Sequence, residues 1–231
     1  MTDQLPPQPA QVKRRVLLVD DHPVTLQGLA MLLNTEVDVT VCGQVPTAER
    51  ALQAIATAKP DLVVVDIALP GRDGIELIKD ITSLHPQLPT LVVSTMDEFI
   101  YAERALRAGA KGYIMKQEPV RLLLLAIQQV MAGGIYLSEC MRNRLFQKSL
   151  TRSGSGPATD LGVDQLTDRE LEVFRLIGEG LGTRQVAGNL RVSISTVETH
   201  RTHIKEKLGL ISAPDLVRQA VIWLHEQKLK P

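Results

Sequence analysis

Asp20, Asp21, Asp66, Ser94 and Lys116 are the residues whose types and spacing first suggest chemistry. Each stands at or just past the end of a separate short apolar run. Val16-Leu17-Leu18-Val19 precedes the acidic pair, Leu62-Val63-Val64-Val65 precedes Asp66, Leu91-Val92-Val93 precedes Ser94, and Gly112-Tyr113-Ile114-Met115 precedes Lys116. Unbroken runs rich in β-branched residues read as strands buried on both faces, the pattern of a parallel sheet. In open parallel sheets the working groups gather just beyond the carboxyl ends of the strands. The five side chains are therefore expected at one edge. Three close carboxylates repel one another, and a hard divalent cation with oxygen ligands, Mg2+ most naturally, relieves that repulsion. Lys116 adds a positive charge and Ser94 a hydroxyl, so the set suits an anion bearing several oxygens. Asp66 ends the most hydrophobic run and is followed by a turn. Its carboxylate is the candidate nucleophile towards phosphorus, forming an acyl phosphate while Mg2+ and Lys116 neutralise the phosphoryl oxygens. Taken singly, such an Asp is most often a helix cap, such a Lys a solvated charge and such a Ser a local backbone partner. Their joint occurrence in this order carries the reading.

The elements that must position these groups follow from the same stretch. Pro23 suits the first turn of a helix with Leu26, Leu29, Ala30 and Leu33 on one face. Val39 to Gly43 reads as a strand, and Thr47 caps a helix through Ala58. Ile75 to Leu84 reads as a helix stopped by His85-Pro86, and Glu98 to Ala108 as one ended by Gly109. Pro119 opens a last helix to Ala132. Five strands alternating with five helices require right-handed crossovers and a parallel sheet covered on both faces.

Composition bounds the class. The 231 residues favour one large or two modest domains, and 44% hydrophobic content is enough for real cores. Formal net charge is zero, which excludes a chain that coats nucleic acid non-specifically but not a local basic face. The two cysteines, Cys42 and Cys140, make neither a metal spacing nor a disulfide framework, in keeping with a reducing cytoplasm. Residues 1–13 read as a Pro-rich, disordered leader without the apolar core of a signal peptide. No apolar stretch is long enough to span a bilayer. The expectation is a soluble, cytoplasmic protein with no membrane partner.

Downstream, Ile135 to Leu150 carries a moderate helical pattern, and Thr151 to Thr159 reads as a flexible Gly/Ser linker. Thr167 with Glu170 forms a capping box for a helix through Ile177. Thr183 is expected to cap a second helix, Ser195 or Thr196 to start a third to Leu208, and Ser212 to cap a fourth. Two short helices across a tight turn, packed by flanking helices, make a helix-turn-helix. At about 100° per residue, Val197, Ile204 and Leu208 share the buried face of the third helix. Glu198, Thr199, Thr202, Lys205 and Glu206 lie opposite, with Arg201 at one flank and Thr196, His203 and Lys207 at the other. Short polar side chains flanked by cations suit a major groove, where cations hold phosphates and short chains reach base edges. A solvated amphipathic helix would show a similar pattern.

Residues 14–134 resemble the receiver domain of bacterial two-component response regulators. Val19-Asp20-Asp21-His22 matches its acidic pair, Val65-Asp66-Ile67-Ala68-Leu69-Pro70-Gly71 its phosphoacceptor strand and loop, Ser94 its switch hydroxyl, and Gly112-Tyr113-Ile114-Met115-Lys116 its last strand. Residues 164–225, within a domain expected at 164–231, resemble the LuxR-type helix-turn-helix of NarL/FixJ-type regulators, through Leu166-Thr167-Asp168-Arg169-Glu170 and Val197-Glu198-Thr199-His200-Arg201 among others. The resemblance implies a flavodoxin-like α/β domain joined by a helical connector and linker (135–163) to an all-α four-helix domain. It implies Asp66 as acceptor of a phosphoryl group from a histidine kinase. It also implies Mg2+ held by Asp21, Asp66 and the backbone carbonyl of Ala68, with Asp20 helping through water. Phosphorylation would draw Ser94 in and let Tyr113 turn inward, and a homodimer would bind double-stranded DNA. Gln117 stands where many receivers have proline, and Glu198 where lysine is common.

Two readings from other classes compete with this one. A haloacid-dehalogenase-like phosphatase needs a second Asp two residues after the nucleophile, where this chain has Ala68. A phosphorylation-independent DNA binder would use the receiver only as a scaffold, which leaves the Asp21, Asp66, Ser94 and Lys116 set without a purpose. A dinucleotide-binding enzyme is disfavoured because no Gly-rich fingerprint follows the first strand.

Overall fold

The computed structural model describes residues 13–151 and 162–229; the expected leader before Lys13 and the expected linker from residue 152 lie outside the described residues. Strands β1 (Arg14–Val19), β2 (Val39–Val45), β3 (Leu62–Val65), β4 (Thr90–Ser94) and β5 (Tyr113–Met115) alternate with helices α1 (Pro23–Asn34), α2 (Ala48–Ala58), α3 (Gly74–Leu84), α4 (Glu98–Ala108) and α5 (Val120–Met131). All pairings are parallel and the sheet order is β2-β1-β3-β4-β5, the flavodoxin-like order. Its switch point lies between β1 and β3. Alternate residues explain the unbroken apolar runs. Val16, Leu18 and Val64 pack with Leu26, Leu33 and Ile127 under α1 and α5. Leu17, Val19, Val63 and Val65 pack with Ala51, Ile78 and Ala105 under α2, α3 and α4.

The connector departs from its sequence pattern. Its helix, α6, spans Glu139–Thr151 rather than starting at Ile135. Before it, Tyr136 bridges Gly112 in parallel, its amide donating to the Lys111 carbonyl (2.9 Å) and its carbonyl accepting from the Tyr113 amide (3.0 Å). The segment thereby satisfies backbone groups that the edge strand β5 would otherwise leave open. Leu137 and Met141 are both buried, so the apolar spacing is real, but it serves an extended stretch and then a helix. α6 lies along α4: Ser138 donates to Glu98 (2.6 Å), Lys148 pairs with Glu103 (2.8 Å), and the Arg144 guanidinium sits 5.1 Å from the Phe99 ring centroid.

The second unit contains α7 (Asp168–Gly178), α8 (Thr183–Leu190), α9 (Ile194–Leu208) and α10 (Ala213–Leu229). The Thr167–Glu170 capping box forms as expected. Two expected caps move. The N-cap of α8 is Gly182, whose amide donates to the Gln185 side chain (2.9 Å), and Thr183 instead donates to Glu198 (2.8 Å). The N-cap of α9 is Ser193, whose hydroxyl accepts from the Thr196 amide (3.0 Å). Phe174 and Trp223 hold α7 to α10 with ring centroids 5.5 Å apart.

The two units are docked. Asp168, at the start of α7, pairs with Lys79 of α3 (3.0 Å) and Arg104 of α4 (3.1 Å). Arg104 also donates to the carbonyls of Leu166 (2.8 Å) and Val163 (3.0 Å). The apolar cluster under α3 and α4 continues into Leu171, Phe174 and Leu176 of α7.

Candidate functional site

Strand register assembles the acidic pocket. β1 and β3 pair with Val19 opposite Val65, so the next residue of each strand, Asp20 and Asp66, emerge side by side at the switch point. β3 pairs with β4 through Val65 and Val92, which carries Ser94 past the end of β3. Ser94 pairs with Met115, so Lys116 follows directly. The loop after β3 is closed by α3. Asp73 caps that helix, accepting from the amides of Ile75 (2.7 Å) and Glu76 (3.0 Å), and Gly74 lies so near the backbone of Asp66 that a Cβ there would stand 2.3 Å from its carbonyl oxygen.

All five expected side chains meet. Ser94 Oγ donates to Asp66 Oδ1 (2.7 Å), and Lys116 Nζ reaches Asp66 Oδ2 and Asp20 Oδ2, each at 2.6 Å. Burial alone would lower the Lys116 ammonium pKa, but Asp66 and Asp20 outweigh it and hold it above its usual value, so the lysine is charged. The Ala68 amide donates to Asp66 Oδ1 (3.1 Å). Asp66 is 2% exposed. Tyr113 is fully buried, its hydroxyl donating to the Met96 carbonyl (2.8 Å). Both switch groups thus already stand where the resemblance placed them only after phosphorylation. Ser94 lies on Asp66 and Tyr113 is turned inward in this structure.

The donor set fits a hard cation. Ligand atoms of Asp20, Asp21, His22 and Asp66 lie within 4.8 Å of one another. Asp21 Oδ1 is buried with no hydrogen-bond partner; the His22 Nδ1 atom is 2.7 Å away but out of line for a bond. An orphaned carboxylate oxygen beside two further carboxylates is a ready ligand for Mg2+. Ala68 lines the cavity next to it.

Two participants were missed in the sequence. His22 could have been noticed from its place after the acidic pair. Arg191, at the end of α8, gave no sequence signal: its Nη1 lies 2.6 Å from Asp21 Oδ2, across the domain interface. It closes one side of a cavity of about 380 Å³ between the two units, lined by Asp21, Ala68, Met96, Arg169, Glu172 and Arg191. Burial pushes the Glu172 carboxyl up despite Arg169 at 2.6 Å.

On α9, Val197 and Ile204 are fully buried and Leu208 half-buried, while Glu198, Thr199, Thr202 and His203 are exposed. Thr199 and Thr202 bond back to the carbonyls of Ser195 (3.0 Å) and Glu198 (3.1 Å). Thr196 and Lys205 are half-buried. Two expected cations are less free than the helical angle suggested. Lys207 pairs with Glu170 (2.6 Å), and the Arg201 side chain is only 14% exposed, 3.8 Å from Glu198.

A five-stranded parallel domain with an acidic pocket at its switch point, coupled to a helix-turn-helix, defines a two-domain class of regulator. Residues 16–128 match the response regulator receiver domain, and residues 164–220 match the bacterial regulatory proteins of the luxR family. The oxygen regulatory protein NreC of Staphylococcus aureus (strain MRSA252) is 36% identical over 209 residues, covering 90% of this chain and 96% of that protein. The chain belongs to the LuxR-type two-component response regulators, whose members are DNA-binding transcription regulators. Among solved structures, the response regulator ChrA of a heme-sensing two-component system is 32% identical, with TM-score 0.50 over 92% of this chain and 98% of that one. RcsB of Salmonella typhimurium, 24% identical, shares the fold with TM-score 0.62 over 91% of this chain and 98% of that one. No described helix is long and apolar enough to cross a membrane.

Proposed function

We propose that the chain is a phosphorylation-controlled, sequence-specific transcription regulator of a two-component system, with a receiver at 14–134, a connector at 135–163 and a DNA-binding domain at 164–231. The observation that carries this reading is the Asp66 carboxylate held between Ser94 and Lys116 beside the unpartnered oxygen of Asp21. Asp66 Oδ attacks the phosphorus of a histidine kinase's phosphohistidine; the new O–P bond forms as the N–P bond breaks, and the imidazole leaves. Lys116 and Ser94 then face the phosphoryl oxygens. Asp20, Asp21, Asp66 and the Ala68 carbonyl would hold Mg2+, which would supply further neutralisation of the phosphoryl charge. Tyr113 stays inward and fixes the β4–α4 loop through Met96.

Docking of the second unit over the acceptor pocket favours this reading over a scaffold receiver, because the output domain contacts the signalling residue Asp21 directly. In the docked chain the receiver stands against the turn that leads into α9. Released, α9 enters a major groove with Thr196, Glu198, Thr199 and Thr202 towards the bases, and Arg201, His203, Lys205 and Lys207 towards phosphates. A homodimer on two half-sites, in the cytoplasm, completes the scheme. Labelling with acetyl phosphate tests the acceptor: the wild type should take up phosphate and Asp66→Asn none, and equal uptake would refute the assignment. Replacing Thr199 and Thr202 together by alanine should cost roughly 1–3 kcal/mol of discrimination per base read. Footprints unchanged by that double replacement would remove α9 from base recognition.

A further inference from the structure

We propose that the Arg191 guanidinium and a divalent cation are alternative occupants of one carboxylate pocket, so that Mg2+ alone, before any phosphoryl transfer, loosens the docking of the DNA-binding domain. This rests on the reading of Asp20, Asp21 and Asp66 as a Mg2+ site. The geometry is specific. The Asp21 side chain is 6% exposed; one of its oxygens is held by Arg191 at 2.6 Å, and the other lies buried 2.7 Å from His22 Nδ1 without a hydrogen bond. Lys116 shares its single positive charge between Asp20 and Asp66. Asp21 is neutralised from the other domain, by the tip of a side chain that is otherwise 59% exposed.

Arg191 also holds a backbone conformation that arginine does not favour. It ends α8 with φ 52° and ψ 43°, the left-handed position where glycine or asparagine is usual. The side chain delivered to Asp21 is therefore not required by the helix end. A cation bound to Asp21 would stand within a few ångströms of the guanidinium, under the cover of α7 and α8, where water screens the repulsion poorly. A divalent cation beside Asp21 opposes the Arg191 guanidinium by like charge, whether or not Asp66 carries a phosphoryl group. By linkage, docking weakens Mg2+ binding by the same factor by which Mg2+ weakens docking.

The test uses the full chain, MgCl2 and no phosphodonor. Titration calorimetry should give a Mg2+ Kd about fivefold lower for Arg191→Gly than for wild type, the scale of a half-exposed ion pair. Glycine suits the left-handed position, so this variant keeps its fold, and Arg191→Lys, which keeps the charge, should stay near the wild-type Kd. Hydrogen exchange of amides in α3 and α7 at the domain interface should rise by a similar factor when Mg2+ is added to wild type, and not with NaCl of equal ionic strength. In Arg191→Gly that exchange should no longer respond to Mg2+. Equal Kd values for wild type and Arg191→Gly, or wild-type exchange indifferent to Mg2+, would overturn the exclusion while leaving the metal site standing. Absence of Mg2+ binding in every variant would overturn the metal site itself, and the inference with it.

Discussion

Asp73 shows how a single side chain can set a pH dependence. Burial pushes its carboxyl from the ordinary 3.8 up to about 6, and Asp168 and Glu76 push in the same direction against the amides of Glu76 and Ile75. An acid with a raised folded value binds its proton more tightly in the folded chain. Its contribution to stability is therefore full at low pH and is lost as pH rises from about 4 through about 6. Asp73→Asn keeps an N-cap and removes the titration. In urea unfolding followed from pH 4 to 8, the wild type should lose stability relative to Asp73→Asn across that window. Asp73→Ala, lacking the cap, should lie about 1 kcal/mol below Asp73→Asn throughout. At this scale Asp20, Asp21, Asp66, Ser94 and Lys116 were all legible, because each follows an apolar run whose end fixes its place. Arg191 was not. Its importance comes from how two separately folding patterns dock, and no periodicity within either records that.

Among the elements, α3 packs directly against the backbone of Asp66. Its first residue, Gly74, leaves no room for a methyl group: a Cβ would lie 2.3 Å from the Asp66 carbonyl oxygen and 2.6 Å from Ile67 Cα. Gly74→Ala should push α3 away from the end of β3, cost about 2 kcal/mol and slow acetyl phosphate labelling. Gly28, inside α1 with open space around it, is the matched comparison, and Gly28→Ala should gain about 1 kcal/mol with labelling unchanged. Denaturation midpoints and labelling rates of the two variants check both statements. The receiver strands and helices were legible because burial on both sheet faces imposes continuous apolar runs with sharp polar ends. The start of α6 was not, since Tyr136 is extended only because Gly112 of a distant segment is there to pair with it. The caps at Gly182 and Ser193 were missed for a local reason. Thr183, Ser195 and Thr196 are good capping residues by type, but the Gln185 side chain caps the Gly182 amide, and the αL turn at Arg191 places the start of α9 at Ser193.

Across the whole molecule, Asp168 joins α7 to both α3 and α4 through Lys79 and Arg104, and one apolar cluster runs from beneath those helices into Leu171, Phe174 and Leu176. A shared core means that the two units do not melt independently. In scanning calorimetry the resting chain should give a single heat-absorption peak, as one cooperative body. Asp168→Asn removes the charge that Lys79 and Arg104 surround, and it should split that peak in two, the first midpoint falling by about 4 °C. Cooperativity of melting would then report the signalling state. A chain that melts as one body has its two units docked, and one that melts in two steps has parted them.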